Sequence, residues 1–358
     1  MYSVFDRLRS QEIPNSSGGF TVYRMLINKS LFLFLIPIIA SSYGCFLGAP
    51  LKKEIREWQK TQKTEHRLRT WEEVFSKPTR LEVKALLTGY VLTGPSILID
   101  SKNPKTPENQ KVEQWVPALS YLVRHPIEGK FLMDSGVPSV DEQGRCDFTL
   151  VGPILNIPCR SEKGRDSASQ LSQLNVSNED LKFVLISHLH WDHIGGMGAL
   201  RKRGPVQVLI SEEEADDASK AFSILHGYSP RALEVDFDVS ILKKDQFQEM
   251  PILGKVYDLF GDGSVWIVSA HGHTEGELAV LLNSTEGAFL FTFDSSHLKA
   301  GFENEVTPGA VVDRVKSLES IRRMKSFSLA YPKVKVFYGH EPTQWKKEST
   351  VTLTSGNF

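Results

Sequence analysis

The chain has 358 residues, of which 41% are hydrophobic and 24% charged, the composition of a globular protein with one large or two ordinary domains. Its 42 Lys+Arg against 43 Asp+Glu leave a formal net charge of -1, so no basic field marks it as a nucleic-acid binder. Three cysteines, Cys45, Cys146 and Cys159, are too few for a disulfide framework or a thiolate metal site.

Residues 1–29 are polar, include NSSGG at 15–19 and show no sustained period, so disorder is expected there. Residues 30–51 contain no charge, and LFLFLIPIIASSYGCFLGAPL is about long enough to cross a hydrocarbon core of ~30 Å at ~1.5 Å per residue. A single-pass membrane anchor is the first expectation for this segment. A cleaved secretory signal is the second, because the dense apolar run is interrupted by Pro37 and followed by Ala40, Ser41 and Ser42. A buried segment of a cytoplasmic protein is the third. Residues 52–78 are charge-rich, with Ile55, Trp58, Leu68, Trp71 and Phe75 at loosely helical spacing, and read as a solvated linker helix closed by Pro78. A catalytic domain is expected over residues 79–358.

Alternation at Leu81, Val83 and Ala85, and the run at 97–99, predict strands, and the polar stretch 101–114 predicts a loop. Residues 118–123 and 131–134 form an expected hairpin around a turn at 128–130. Cys146 and Cys159 come next; they are able to pair, but buried free thiols are the first expectation. The apolar run FVLI at 183–186 predicts a strand that delivers SHLHWDH at 187–193. A strand at 206–210 follows. Ser211 and Glu214 form a capping box that opens a helix, with the acidic run 212–214 read as its solvated face. A hairpin around Asp262-Gly263 ends in AHGHT at 270–274, strands at 278–282 and 288–293 end in Asp294, and a strand at 333–338 ends in Gly339-His340. Val311, Val315, Leu318, Ile321 and Met324 mark one apolar helix face.

Three histidines and an aspartate within six residues suit a first-row metal, because neutral imidazole and carboxylate are the donors that zinc and its neighbours accept. Four strands thus end in candidate ligands: the cluster of His188, His190, Asp192 and His193, then His273, Asp294 and His340. This series resembles the metallo-β-lactamase superfamily, with its HxHxDH, later GHT, later Asp and final GH. Within that superfamily, SHLHWDHIGGMGAL at 187–200, FDSS at 293–296, GFENEV at 301–306 and FYGHE at 337–341 are most similar to the N-acyl homoserine lactonases. The likeness covers roughly residues 81–347.

The resemblance implies an αββα sandwich, two sheets face to face with helices outside. It implies two divalent metal ions per chain, zinc first: His188, His190 and His273 on one, Asp192, His193 and His340 on the other, and Asp294 between them. Asp134, at the end of its strand, would support the loops without binding metal. Three departures stand out. Glu277 replaces the family's second histidine, and His271 stands where its proline would be; neither position is a ligand. His297 takes the place of a tyrosine that contacts the substrate carbonyl, and is expected to donate a hydrogen bond there, the alternative being a surface histidine. The expected activity is the opening of a lactone by a hydroxide shared between two cations, with Asp192 passing the proton to the leaving alkoxide. A lactam, a cyclic carbamate or a thioester is the alternative substrate, since the same centre serves all of them. The partner is then a small cyclic carbonyl compound, with no nucleic acid, and with a membrane through residues 30–51.

Overall fold

In the computed structural model, the described residues are 51, 54–60, 68–146, 158–220, 223–228, 230–345 and 350–354. Disorder at 1–29 and the apolar segment at 30–50 fall outside them. Among the described residues, no helix is long and apolar enough to cross a membrane. The membrane-anchored location expected above is therefore corrected: it rested on residues 30–51, and nothing in the described fold supplies a span.

Two sheets form the body. The first, among the described residues, has nine strands: β1 (Ile55–Glu57), β2 (Glu82–Thr93), β3 (Gln114–His125), β4 (Gly129–Met133), β5 (Cys159–Arg160), β6 (Leu181–Leu185), β7 (Gln207–Ser211), β8 (Asp238–Leu242) and, from the chain's end, β15 (Thr350–Thr352). The second holds six: β9 (Gln248–Met250), β10 (Gly254–Asp258), β11 (Val265–Ser269), β12 (Leu278–Ser284), β13 (Gly287–Phe291) and β14 (Lys335–Phe337). In the first sheet, β4, β6, β7 and β8 run parallel; in the second, β9 to β13 are an antiparallel meander and β14 joins β13 in parallel.

Alternation of side chains along each strand builds three apolar layers. Between the sheets lie Tyr121, Phe131, Phe183, Ile267, Val280 and Phe291, with the rings of Tyr121 and Phe291 4.7 Å apart across the gap. Outside the first sheet, Leu132, Val184 and Val208 pack on Leu171, Met197, Leu200 and Ala218 of helical segments. Outside the second, Trp266, Val268 and Leu281 pack on Ile321, Met324 and Phe327 of the helix Arg314–Ala330. This is the expected αββα sandwich.

Four local expectations change. Residues 52–78 are not one helix: Ile55–Glu57 pairs in parallel with β8, and among the described residues of this stretch the helix is Trp71–Phe75, capped by Thr70 with Glu73 reaching back. The two tryptophans that suggested a helical face go to different cores. Trp58 meets Phe183 between the sheets, and Trp71 packs on Trp266 and Phe327 outside the second sheet, its indole N–H donating to the Pro251 carbonyl at 2.7 Å. The run at 97–99 is not a strand, because Pro95 starts a short helix, Pro95–Leu98, with its ring at the first turn where no N–H is needed. On Arg314–Ala330 the buried face is Ser317, Ser320, Ile321, Met324 and Phe327, and Val315 is 78% exposed. Cys146 and Cys159 form a disulfide, with Cα atoms 5.4 Å apart, because β5 pairs beside β2 and brings the second cysteine back to the first; neither is a free buried thiol.

Candidate metal centre

All four ligand-bearing segments leave the sheets at one end of the sandwich. β6 ends just before Ser187 and the first histidine cluster, β11 before the 270–274 loop, β13 before Asp294 and β14 before His340. The Leu278 N–H donates to the Ser187 carbonyl at 3.0 Å, which joins the two sheets at this end. Around Asp294, three sets of side chains bring one donor atom each to within 4.8 Å of one another: His188, His190, His273 and Asp294; Asp192, His193 and His340; and Asp294, His297 and His340. The sequence-predicted site residues are therefore brought together, and His271 and Glu277 are not among them.

Each imidazole is held by its outer nitrogen. The Nδ1 of His193 donates to Asp134 Oδ2 at 2.7 Å, that of His340 to the Pro117 carbonyl at 2.8 Å and that of His273 to the Ala310 carbonyl at 3.1 Å. The Nε2 of His190 donates to the His226 carbonyl at 2.8 Å, and Nδ1 of His188 to the Ser187 hydroxyl oxygen at 3.0 Å. His297 Nδ1 lies 3.0 Å from the Leu98 carbonyl. A carbonyl only accepts, so at His190, His273, His297 and His340 the outer nitrogen carries a proton and the inner nitrogen is turned to the centre. Those inner nitrogens converge. The Nε2 atoms of His193, His273, His297 and His340 are 3.0 to 3.4 Å from an Asp294 oxygen, that of His188 is 3.6 Å away, and Nδ1 of His190 is 3.0 Å from Nε2 of His273.

Supporting residues fix this arrangement. Asp134, at φ 57°, accepts the Ser187 N–H at 2.7 Å and the Ser187 hydroxyl at 2.9 Å as well as His193, so it braces the loop, as expected. Glu214 is a residue that the sequence reading missed. Its N–H caps on Ser211, but its carboxylate turns inward and accepts from the Leu189 N–H at 2.8 Å, the Thr274 hydroxyl at 2.7 Å and the Gly276 N–H at 3.0 Å. It links the first histidine loop to the second; the solvated face predicted for it is corrected. Its helical phase, one residue before buried Ala215, was the available signal. Gly227, at φ +91°, and Gly339 allow close approach, since a Cβ would meet His190 Nε2 at 2.6 Å and Asp294 Oδ1 at 2.5 Å respectively.

The electrostatics suit a cation. Burial lowers the pKa of His188 well below its usual value, that of His190 to about 3, and that of His273, so these rings stay neutral donors. Burial opposes charge on Asp294 too, but His340, His297 and His193 outweigh it and hold its carboxyl well below the usual range. Against burial, the carboxylates of Asp294, Asp134 and Asp192 raise His193 well above normal, and Asp294 and Asp192 raise His340. Positive charge is thus favoured at the centre of the cluster, where the inner nitrogens of His188 and His193 and one oxygen of Asp294 are buried with no hydrogen-bond partner among the described residues. Unpartnered buried donors of this kind, each oriented by an outer contact, fit divalent metal ions. Glu277 is fully buried, and burial followed by the Asp294 charge raises its carboxyl well above normal. His271 opens instead onto a cleft of about 290 Å³ shared with Lys255, Lys316 and Arg323.

Comparison with known proteins agrees with this geometry. The sequence model of the metallo-beta-lactamase superfamily matches residues 114–340. An N-acyl homoserine lactonase of Bacillus sp is 31% identical over 236 residues, covering 64% of this chain and 83% of that one. One from Bacillus cereus is 29% identical over 238 residues, 64% and 84% of the two chains. A solved N-acyl homoserine lactone hydrolase with the product N-hexanoyl-L-homoserine bound at its catalytic metal centre shares the fold, at TM-score 0.58 and 21% identity over 75% of this chain and 95% of that one.

Proposed function

The chain belongs to the metallo-β-lactamase superfamily and has its hydrolase fold, and from that premise we propose that it is a dinuclear metal-dependent hydrolase opening the ring of a lactone of the N-acyl homoserine lactone class. The observation that carries this reading is the convergence of inward-facing imidazole nitrogens around Asp294 in two adjacent donor sets. The relatives named as lactonases support the choice of substrate class.

In this reading His188, His190 and His273 hold one cation, Asp192, His193 and His340 the other, and Asp294 serves both. Two divalent cations, zinc first, would supply Lewis-acid polarisation of the ester carbonyl and a water pKa lowered from ~15.7 to about 7. The protein's own part is to orient and to move a proton. Asp134, Ser187 and Glu214 hold the histidine loops so that the donor atoms need no rearrangement. Asp192 has a side chain 12% exposed, against 4% for Asp294, so it is the carboxylate of the cluster that faces solvent and arriving substrate. Water adds to the carbonyl carbon, the C–O bond of the ring breaks, and Asp192 takes the proton released by the water and gives it to the leaving alkoxide oxygen, leaving an acid and an alcohol on one product.

A substrate panel tests the reading. The full chain loaded with zinc is given an N-acyl homoserine lactone, a lactam and a thioester, and the products are followed by mass. Ring opening of the lactone well above the other two is the expected result; hydrolysis of the thioester or the lactam with the lactone untouched would reject the lactone class and keep the hydrolase.

A further inference from the structure

We propose that His297 is itself a metal donor, completing with Asp294 and His340 a third donor set at the centre; this rests on the dinuclear reading above. The ring is 2% exposed and lies against two of the other histidines, with centroids 5.0 Å from His273 and 5.3 Å from His340. Its Nδ1 is 3.0 Å from the Leu98 carbonyl, which can only accept, so Nδ1 carries a proton and Nε2 is the atom turned to the centre. That Nε2 is 3.0 Å from Asp294 Oδ2, on the carboxylate to which His273 and His340 also turn theirs. A divalent cation lying against this nitrogen and that oxygen would take both as donors, as in the set they form with His340.

The same chemistry removes the role expected from sequence. A hydrogen-bond donor to a substrate carbonyl must point its Nε2 at the substrate, whereas that atom is turned onto Asp294 and the other nitrogen onto the Leu98 carbonyl. The surface position, the second expectation, is excluded by burial. What remains is the arrangement shared with His273 and His340: outer nitrogen on a main-chain carbonyl, inner nitrogen on Asp294. Metal-binding histidines characteristically donate their other N–H to a carbonyl or carboxylate in this way. The short helix Pro95–Leu98 supplies the carbonyl, and the backbone N–H of His340 donates to the His297 carbonyl at 2.8 Å, so this ring and that of His340 are positioned together.

The test reads the metal, not the activity. Full-length protein with ¹⁵N-labelled histidine is loaded with ¹¹³Cd, and cadmium–nitrogen couplings are recorded. Couplings to six rings, His188, His190, His193, His273, His297 and His340, are expected. In parallel, His297→Ala should weaken one of the two zinc sites by more than about 100-fold in a chelator competition, beyond the 10- to 100-fold that loss of an orienting partner costs. Two bound cations with no coupling to His297, or an alanine variant whose zinc affinities stay within 10-fold of wild type, would overturn the inference and leave the dinuclear reading standing. Wild-type protein that binds no cadmium or zinc would overturn both. The coupling experiment needs no variant, so it decides the matter even if His297→Ala does not fold.

Discussion

The carboxylate of Glu214 accepts the backbone N–H of Leu189 at 2.8 Å, and by that bond a helix side chain reaches between two histidines of the HxHxDH loop. Its other oxygen takes the Thr274 hydroxyl and the Gly276 N–H, on the loop that carries His273. The two loops come from different sheets, so Glu214 holds the centre together where no metal donor does.

Glu214→Ala should therefore cost about 3 kcal/mol or more in urea unfolding, because three buried donors lose their acceptor at ~1 to 3 kcal/mol each with partial relaxation. A loss below about 0.5 kcal/mol would mean that the loops are held by other contacts.

Trp71→Ala should destabilise the protein by about 3 to 5 kcal/mol, the range for removing a large buried aromatic side chain. Trp71 is wholly buried against Trp266 and Phe327. An unfolding midpoint equal to wild type would return residues 68–78 to the status of a linker.

These two residues also show what sequence can and cannot report. The candidate metal donors were legible because their chemistry is local: HxHxDH carries four of them within six residues, and each later one follows an apolar run that reads as a strand. Glu214 was not, since two of the three acidic residues at 212–214 stay partly exposed and only the third turns inward, a difference set by helix phase against a sheet whose position the sequence does not give. Trp58 and Trp71 have helix-like spacing by coincidence, because they insert on opposite sides of the second sheet. His297 was legible as part of the cluster but not in its orientation, because the group that turns its ring is the main-chain carbonyl of Leu98, and no side-chain pattern reports a carbonyl.

The disulfide makes a separate prediction. Non-reducing mass analysis should find Cys146 joined to Cys159, and Cys146→Ser should lower stability by about 2 to 3 kcal/mol, as expected for opening a loop of 13 residues. Quantitative labelling of both thiols in the native, unreduced protein would contradict the pairing.

Asp258 sets a pH dependence away from the metal centre. Burial raises its pKa from 3.8 to about 6, although Lys60 and the N–H groups of Gly261 and Gly263 act against the rise. The folded state thus holds this proton more tightly than the unfolded chain. The contribution is full below about pH 4 and is lost as pH rises through 6, so wild type should lose stability relative to Asp258→Asn across that window, by on the order of 3 kcal/mol. Urea unfolding of both proteins at pH 4, 5, 6 and 7 measures the difference; a difference that does not change with pH would show that Asp258 titrates normally.

Whether two cations gathered around Asp294 drive lactone hydrolysis is measured directly by ring opening of an N-acyl homoserine lactone as zinc is titrated into chelator-stripped full-length protein, with bound metal counted at each step. Turnover should be absent without metal and rise to a plateau at two ions per chain. Asp294→Ala should bind neither ion tightly, and His340→Ala should lose mainly one. Lactone hydrolysis that persists undiminished in the stripped protein, or a wild-type chain that takes up two ions and opens no lactone, would contradict the account.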